Sequence, residues 1–364
     1  MNLIFNPSDK PESFGSHILI GLSGTTLDDL DKRLLAAVKP AGLLLLKRNF
    51  EHGSPYEVWL PKLQKLLTDA KNYAERDAMF VTIDHEGGRV NRTPPPLTSF
   101  PEPARYGRKA GEVAAAMAAE LKSIGVNVDW APLADIHSNP TNPVIGARAF
   151  GEDPEDVARK AVAFAEALMQ NGILGCAKHF PGHGDTAVDS HHELPTVERS
   201  LDEIKERELI PFRAMIDIDI PFVMTAHIVF PKIDPKFPAT LSEKILGGIL
   251  RDTLGFTNVI IGDDLDMKAV AHRFQSNETV GLAMNAGCDM FCIARFPDGA
   301  SDRPLHLAKS MAICLTKKLL SEETLFKSFT RIKKIADNRL GPSIVAPLGE
   351  DVFERHEQLR DEFR

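Results

Sequence analysis

Residues 153–180 read DPEDVARKAVAFAEALMQNGILGCAKHF. Asp153 offers a helix N-cap, Pro154 suits the first helical position and Asp156 keeps the first turn acidic, so an Ala-rich helix is predicted to start here. The segment ends in ILGCAKHF (173–180), a short apolar run flanked by turn residues, which reads as a buried strand. This helix-then-strand unit recurs along the chain. Further strand candidates are HILIGL (17–22), GLLLL (42–46), MFVTID (79–84), VNVDWAP (126–132), FVMTAHI (222–228), NVIIGDD (258–264) and CDMFCIA (288–294). Ser200 with Glu203 predicts a capping box before another helix. A further helix is expected from about Ser242 to Leu254, stopping at Gly255.

Eight strands alternating with helices over roughly 300 residues is the arithmetic of a (β/α)8 barrel. A doubly wound sheet would need a Gly-rich phosphate turn after an early strand, and no GxGxxG stands there. With no low-complexity linker and no short repeat, the predicted α/β organisation is a single (β/α)8 TIM-type barrel over residues 1–340. A charged helical tail follows over 341–364, ending EDVFERHEQLRDEFR, with Val352, Phe353, Leu359 and Phe363 available to cover the barrel or a partner.

The composition, 43% hydrophobic and 26% charged, is that of a globular chain with ample core. A net charge of −8 argues against nucleic acid or an anionic membrane surface as the main partner. Neither a secretory leader nor a membrane span is recognisable, and the expected location is the cytoplasm. The four cysteines fall in apolar stretches, as free thiols in a reducing compartment would. No cofactor is implied.

Barrels of this kind carry their chemistry at the C-terminal ends of the strands, and the unusual polar residues collect there. After the third strand comes IDHEGGRVNR, with Asp84, Glu86, Arg89 and Arg92; after the fourth, Asp135 and then Arg148. The fifth ends in Lys178-His179 and opens into FPGHGDTAVDSHHELP. The sixth ends near His227, and the seventh in Asp263-Asp264. Lys178 closes an apolar strand, so it needs an anion or a hydroxyl-rich ligand. Arg92 and Arg148 read equally well as clamps on backbone carbonyls. Gly87-Gly88 would allow a tight turn after Glu86. Alternation along a strand would let only one of Asp263 and Asp264 face the mouth, and Gly262 would leave open space beside Asp263. From spacing alone the choice between the two stays open.

Taken together, KHFPGHGDTAVDSH, IDHEGGRVNR, RAFGED, PATLS (238–242) and VIIGDDLDM resemble glycoside hydrolase family 3. More narrowly they are similar to its single-domain bacterial β-N-acetylglucosaminidases of peptidoglycan recycling. The likeness runs from about GLLLLKRN to about Met290. It implies a barrel that removes terminal β-linked N-acetylglucosamine through a covalent glycosyl-enzyme. The nucleophile would be Asp263, and the acid/base His191 with Asp189 as its partner. Asp84, Arg92, Arg148, Lys178 and His179 would bind sugar. Gly262 departs from the family's Ser or Thr, and His85 from its Gln. The implied substrate is a small carbohydrate or muropeptide of the N-acetylglucosaminyl-anhydromuramyl type, handled by a monomer or weak homodimer.

A histidine acid/base has a physical rationale. Imidazole titrates near neutrality, and Asp189, two residues away in an extended loop, can hold one ring nitrogen. Gly182 and Gly184 would give this loop mobility, with His183, Asp185 and His192 shaping it. Four readings compete. A metal-dependent hydrolase would use His179, His183, Asp185 and His191, yet Pro181 and Gly182 break the helical i, i+4 spacing and no H-x-H pair opens the first strand. A phosphorylase or β-glucosidase of the same fold would change acceptor or sugar. Attack by the substrate's own acetamido group would use the Asp263-Asp264 pair. A non-catalytic sugar-binding barrel would show no turnover.

Overall fold

The Asp153 side chain accepts the Asp156 amide at 2.8 Å, and the helix Pro154–Gln170 begins there. Ser200 and Glu203 close the expected capping box ahead of Leu201–Glu206. The segment after Ser242 also turns helical, over Lys244–Thr253, but in the wider π form, and Gly255 follows it at φ 72°. The computed structural model describes residues 10–187, 194–265, 277–295 and 301–364.

All eight expected strands form, each shorter than its apolar run. They are β1 (Ile18–Gly21), β2 (Gly42–Leu45), β3 (Phe80–Ile83), β4 (Val128–Asp129), β5 (Cys176–Phe180), β6 (Phe222–Thr225), β9 (Val259–Gly262) and β10 (Met290–Ile293). Every pairing is parallel, in the order β4-β3-β2-β1-β10-β9-β6-β5. The ring closes between β4 and β5. There Val128 bridges Leu174, Leu133 bridges Lys178, and the Cys176 amide donates to Ala131 at 2.8 Å. An antiparallel ribbon, β7 (Val229–Phe230) with β8 (Asp234–Pro238), stands outside the barrel.

Strand residues are buried on both faces, which is why the runs read as continuous rather than alternating. One set, including Leu19, Leu44, Phe80, Trp130, Phe222, Ile261 and Cys292, fills the barrel interior. The alternate set, including Ile20, Leu43, Val81, Val223 and Ile260, packs outward under the helices. Phe222 meets both Trp130 and Phe80 edge-on, at 5.3 and 5.9 Å.

The helix Glu322–Asn338 plugs the N-terminal end of the barrel, with Phe329, Ile332, Ile335 and Ala336 joining the interior cluster. Asp289 ties it down. This fully buried carboxylate accepts from Arg331 at 2.7 Å, from Arg251 at 2.7 Å and from the Ile260 amide at 2.9 Å. The tail helix Glu350–Asp361 lies against the barrel helices, with Phe353 edge-on to Tyr56 at 5.5 Å. All four cysteines are buried free thiols, as expected. Among the described residues no helix is long and apolar enough to cross a membrane.

Removing Asp289 strands two arginines in the barrel floor, a loss of about 3 kcal/mol or more for a broken buried pair. Asp289→Ala should therefore lower the urea midpoint sharply without changing the slope of the transition. An unchanged midpoint would show that apolar packing alone holds the plug.

Candidate active site

Seven strand ends meet around a cavity of about 300 Å³ at the C-terminal mouth of the barrel. Asp84, Arg92, Arg148, Lys178, His179 and Asp263 all line it, so the structure brings together six of the eight residues singled out from the sequence. The other two, Asp189 and His191, lie outside the described residues.

Lys178 has the anions its burial requires. Its Nζ lies 2.8 Å from Asp84 Oδ1 and 2.6 Å from Glu86 Oε1, with the side chain 2% exposed. Arg148 forks onto the same Glu86 through Nε and Nη2, both at 2.8 Å, and its Nη1 donates to the Val144 carbonyl at 3.2 Å. Arg148 thus clamps a backbone carbonyl and lines the cavity with most of its donors engaged. Burial alone would raise the Glu86 carboxyl, but Arg148 and Lys178 hold it well below the usual range. Burial likewise works against the Lys178 ammonium, and Asp84 and Glu86 overcome it.

The turn after Glu86 needs its glycines. Gly87 has φ 98°, and a Cβ there would sit 2.0 Å from the Tyr106 hydroxyl. That hydroxyl donates to the Glu86 carbonyl at 3.0 Å. His85 points away from the cavity, its amide bound to Asp129 Oδ1 at 2.9 Å. Burial, aided by Arg92, depresses the His85 imidazole to about 4, and burial pushes the Asp129 carboxyl well above its ordinary value.

A register skip shapes β5. Lys178 pairs with Met224 and Phe180 with Thr225, leaving His179 as the extra residue of a bulge. Regular alternation would have sent Lys178 and His179 to opposite faces; here both reach the cavity. Asp135, fully buried, anchors the chain from the bulge to His183. It accepts from His179 Nδ1 at 2.7 Å, from the His179 amide at 3.1 Å and from the His183 amide at 2.7 Å. Burial would raise this carboxyl, yet the two histidines hold it low.

Several expectations change here. His183 lines the cavity instead of only shaping the loop, with burial and His179 lowering its imidazole to about 4. Gly184 has a packing role as well: a Cβ there would fall 1.5 Å from the Ile136 carbonyl, so only glycine fits at that point. Asp185 is turned to Arg199 at 2.8 Å and Arg207 at 3.1 Å. Among the described residues no group of three or more His, Cys, Asp or Glu converges as metal ligands. His227 is buried beneath the site, 2.8 Å from Thr240 Oγ1.

Asp263 and Asp264 both line the cavity, so strand alternation does not separate them. Hydrogen bonding does. Asp264 Oδ1 accepts the Ala294 amide at 3.0 Å, tying β9 to β10, while the Asp264 amide donates to Asp263 Oδ1 at 2.7 Å. The space beside Gly262 is not open either. A Cβ there would meet Cys288, Thr240 and Phe291 at 3.6 to 3.7 Å, an ordinary contact. Sequence reasoning assigned no role to Glu86, Asp135, Trp130 or Met224; only the two acids, at strand ends, carried a visible signal.

Comparison with known proteins agrees with this geometry. Residues 27–334 match the Glycosyl hydrolase family 3 N-terminal domain. The chain is 35% identical over 295 residues to a beta-hexosaminidase of Idiomarina loihiensis, covering 78% of this chain and 86% of that protein. It is 35% identical over 301 residues to a beta-hexosaminidase of Alkalilimnicola ehrlichii, covering 80% and 84%. A family 3 beta-N-acetylglucosaminidase from Paenibacillus superposes with TM-score 0.85 at 29% identity, over 97% of this chain and 68% of that one. NagZ from Neisseria gonorrhoeae, in complex with N-trifluoroacetyl-D-glucosamine, superposes with TM-score 0.74 at 28% identity, over 95% and 96%.

The buried imidazoles set an acid limit. An unfolded chain protonates them near pH 6.5, the folded protein only near 4, so stability is intact above 6.5 and drains as pH falls toward 4. At pH 5 the His85 share amounts to about 2 kcal/mol. His85→Gln should lose that much less than the wild type between about pH 7 and pH 5 in urea titrations. Parallel losses in both proteins would mean that His85 already takes a proton when folded.

Proposed function

The chain belongs to glycosyl hydrolase family 3, and from that premise we propose that it removes terminal β-linked N-acetylglucosamine with retention of configuration. The observation that carries this reading is the arrangement of the mouth cavity: a space of about 300 Å³ with Asp263 on its wall and Asp84, Arg92, Lys178 and His179 around it. That volume suits one sugar ring and not a continuous chain, in keeping with exo attack. The inner wall is apolar, with Trp130, Met224 and Cys292, and the polar groups converge from a few positions as a pocket for an oriented ring requires. Two family members resembling the chain are beta-hexosaminidases by name, and one superposed structure holds an N-acylated glucosamine.

In this proposal the Asp263 carboxylate attacks the anomeric carbon. The bond to the leaving oxygen breaks, and that oxygen takes a proton from His191. Water then gives a proton to His191 and attacks the same carbon, releasing the sugar and the free carboxylate. Asp189 steadies the imidazolium. Asp84 has the more open carboxylate, 23% exposed, and accepts sugar hydroxyls while Lys178, His179 and Arg92 donate to them. The substrate we favour is the N-acetylglucosaminyl-anhydromuramyl type released in peptidoglycan turnover, cleaved in the cytoplasm by a monomer or weak homodimer.

An aryl N-acetylglucosaminide should be cleaved far faster than the aryl glucoside, giving free sugar and no sugar 1-phosphate. A fluorosugar that traps the glycosyl-enzyme should leave its label on Asp263, and Asp263→Ala should abolish turnover. A label on another residue overturns the nucleophile. His191→Ala should cost about 100-fold or more on a poor leaving group and much less on an activated aryl one. Equal losses on both would remove His191 from the acid role.

A further inference from the structure

The tail reaches the active site through three separate contact chains, and all three end on one segment. Phe353 packs edge-on against Tyr56 at 5.5 Å, Tyr56 against Trp59 at 5.1 Å, and Trp59 Nε1 donates to the Pro95 carbonyl at 3.0 Å. His356 Nδ1 lies 2.7 Å from Glu120 Oε1, and the buried Glu120 accepts both the amide and the hydroxyl of Thr98 at 2.7 Å. Phe363 stacks obliquely on Tyr106 at 5.7 Å, and the Tyr106 hydroxyl donates to the Glu86 carbonyl at 3.0 Å. Arg105 to the Phe363 carbonyl and Lys109 to Glu362 pin the end of the tail beside that last contact.

Pro95, Thr98 and Glu86 belong to the single excursion after β3. This excursion carries Glu86, Arg89, Val90 and Arg92 into the cavity and has no helix or strand of its own between β3 and Pro103. A long irregular segment holds a fixed shape only through contacts from outside. Its internal hydrogen bonds are short-range or few: Glu86 donates to Val90 at 3.0 Å, Val90 to Gly87 at 3.1 Å and Thr93 to Asn91 at 3.0 Å, and only Gly88 to Phe100, at 2.8 Å, spans the segment. Phe353, His356 and Phe363 all lie beyond residues 27–334, the part of the chain that matches the family domain.

We propose that Phe353, His356 and Phe363 are positioning residues, and that the tail braces the β3 excursion so that Glu86 and Arg92 keep the geometry of the sugar pocket. The brace acts on binding. Arg92 meets the sugar directly and Glu86 holds Lys178, which meets it, in ground and transition states alike, so loosening them raises KM and leaves kcat nearly unchanged.

The test uses the full chain with Phe363→Ala, His356→Ala and the conservative Phe363→Leu. Amide hydrogen exchange at residues 86–98 should accelerate about tenfold in the two alanine variants, with the amides of β9 and β10 unchanged. KM for an aryl N-acetylglucosaminide should rise about tenfold at nearly constant kcat, and Phe363→Leu should restore most of it. The kinetic arm rests on the glycosidase reading and the exchange arm does not, so an inactive wild type would sink that reading while leaving the brace decided by exchange. Unaltered exchange at 86–98 overturns the proposal. So does exchange accelerated equally in the barrel strands, which would make the tail a general stabiliser.

Discussion

A lysine ammonium buried to 2% exposure is the constraint around which the mouth of this barrel is arranged. Moving such a charge out of water is expensive, and the ε-ammonium of Lys178 is tolerated only because two carboxylates reach it. Those carboxylates come from the end of β3, whereas Lys178 comes from β5, so the ion cluster draws together strand ends that β4 separates. Two anions on one cation would leave an excess of negative charge. Arg148 removes it by forking onto Glu86. The two carboxylates then divide the work: Glu86 is sealed at 1% exposure, and Asp84 keeps an open side toward the cavity.

A second buried acid repeats the logic on the next wall. Asp135 gathers the His179 ring and the amides of His179 and His183, turning the chain after β5 back across the mouth. Both acids stand behind groups that face the ligand. The wall therefore presents donors, Lys178 and His179, with the compensating charge hidden, while Asp84 and Asp263 supply the acceptors. Such alternation suits a neutral, hydroxyl-rich ring better than an anion.

How much of this the sequence made legible depends on the range of the interactions. Strands buried on both faces are visible as apolar runs, and caps such as Asp153 and Ser200 act within three residues, so barrel and helix starts could be read directly. The cavity positions of Asp84, Lys178 and Asp263 could be read from their place at strand ends. The hidden part rests on partners distant in sequence. Asp135 meets His179 across 44 residues, and Glu86 meets Arg148 across 62. The bulge at His179 and the Ile136 carbonyl against Gly184 are likewise tertiary facts, which no local rule shows.

The adjacent aspartates show how such facts separate residues that local rules leave equivalent. Both face the cavity, and both are acids at the end of β9. Asp264 spends one oxygen on the Ala294 amide of the neighbouring strand end, so its carboxylate sets the position of the backbone. Its own amide then reaches back to Asp263 Oδ1, which orients that carboxylate and stabilises its charge. Gly262 contributes by what it does not obstruct: its missing Cβ faces Cys288, Phe291 and Thr240, not the ligand space. A Ser or Thr there would alter packing behind the strand and leave the hydrogen bond to Asp263 intact. The departure at Gly262 therefore leaves this contact to the Asp263 carboxylate in place, because it comes from the following amide and not from the preceding side chain.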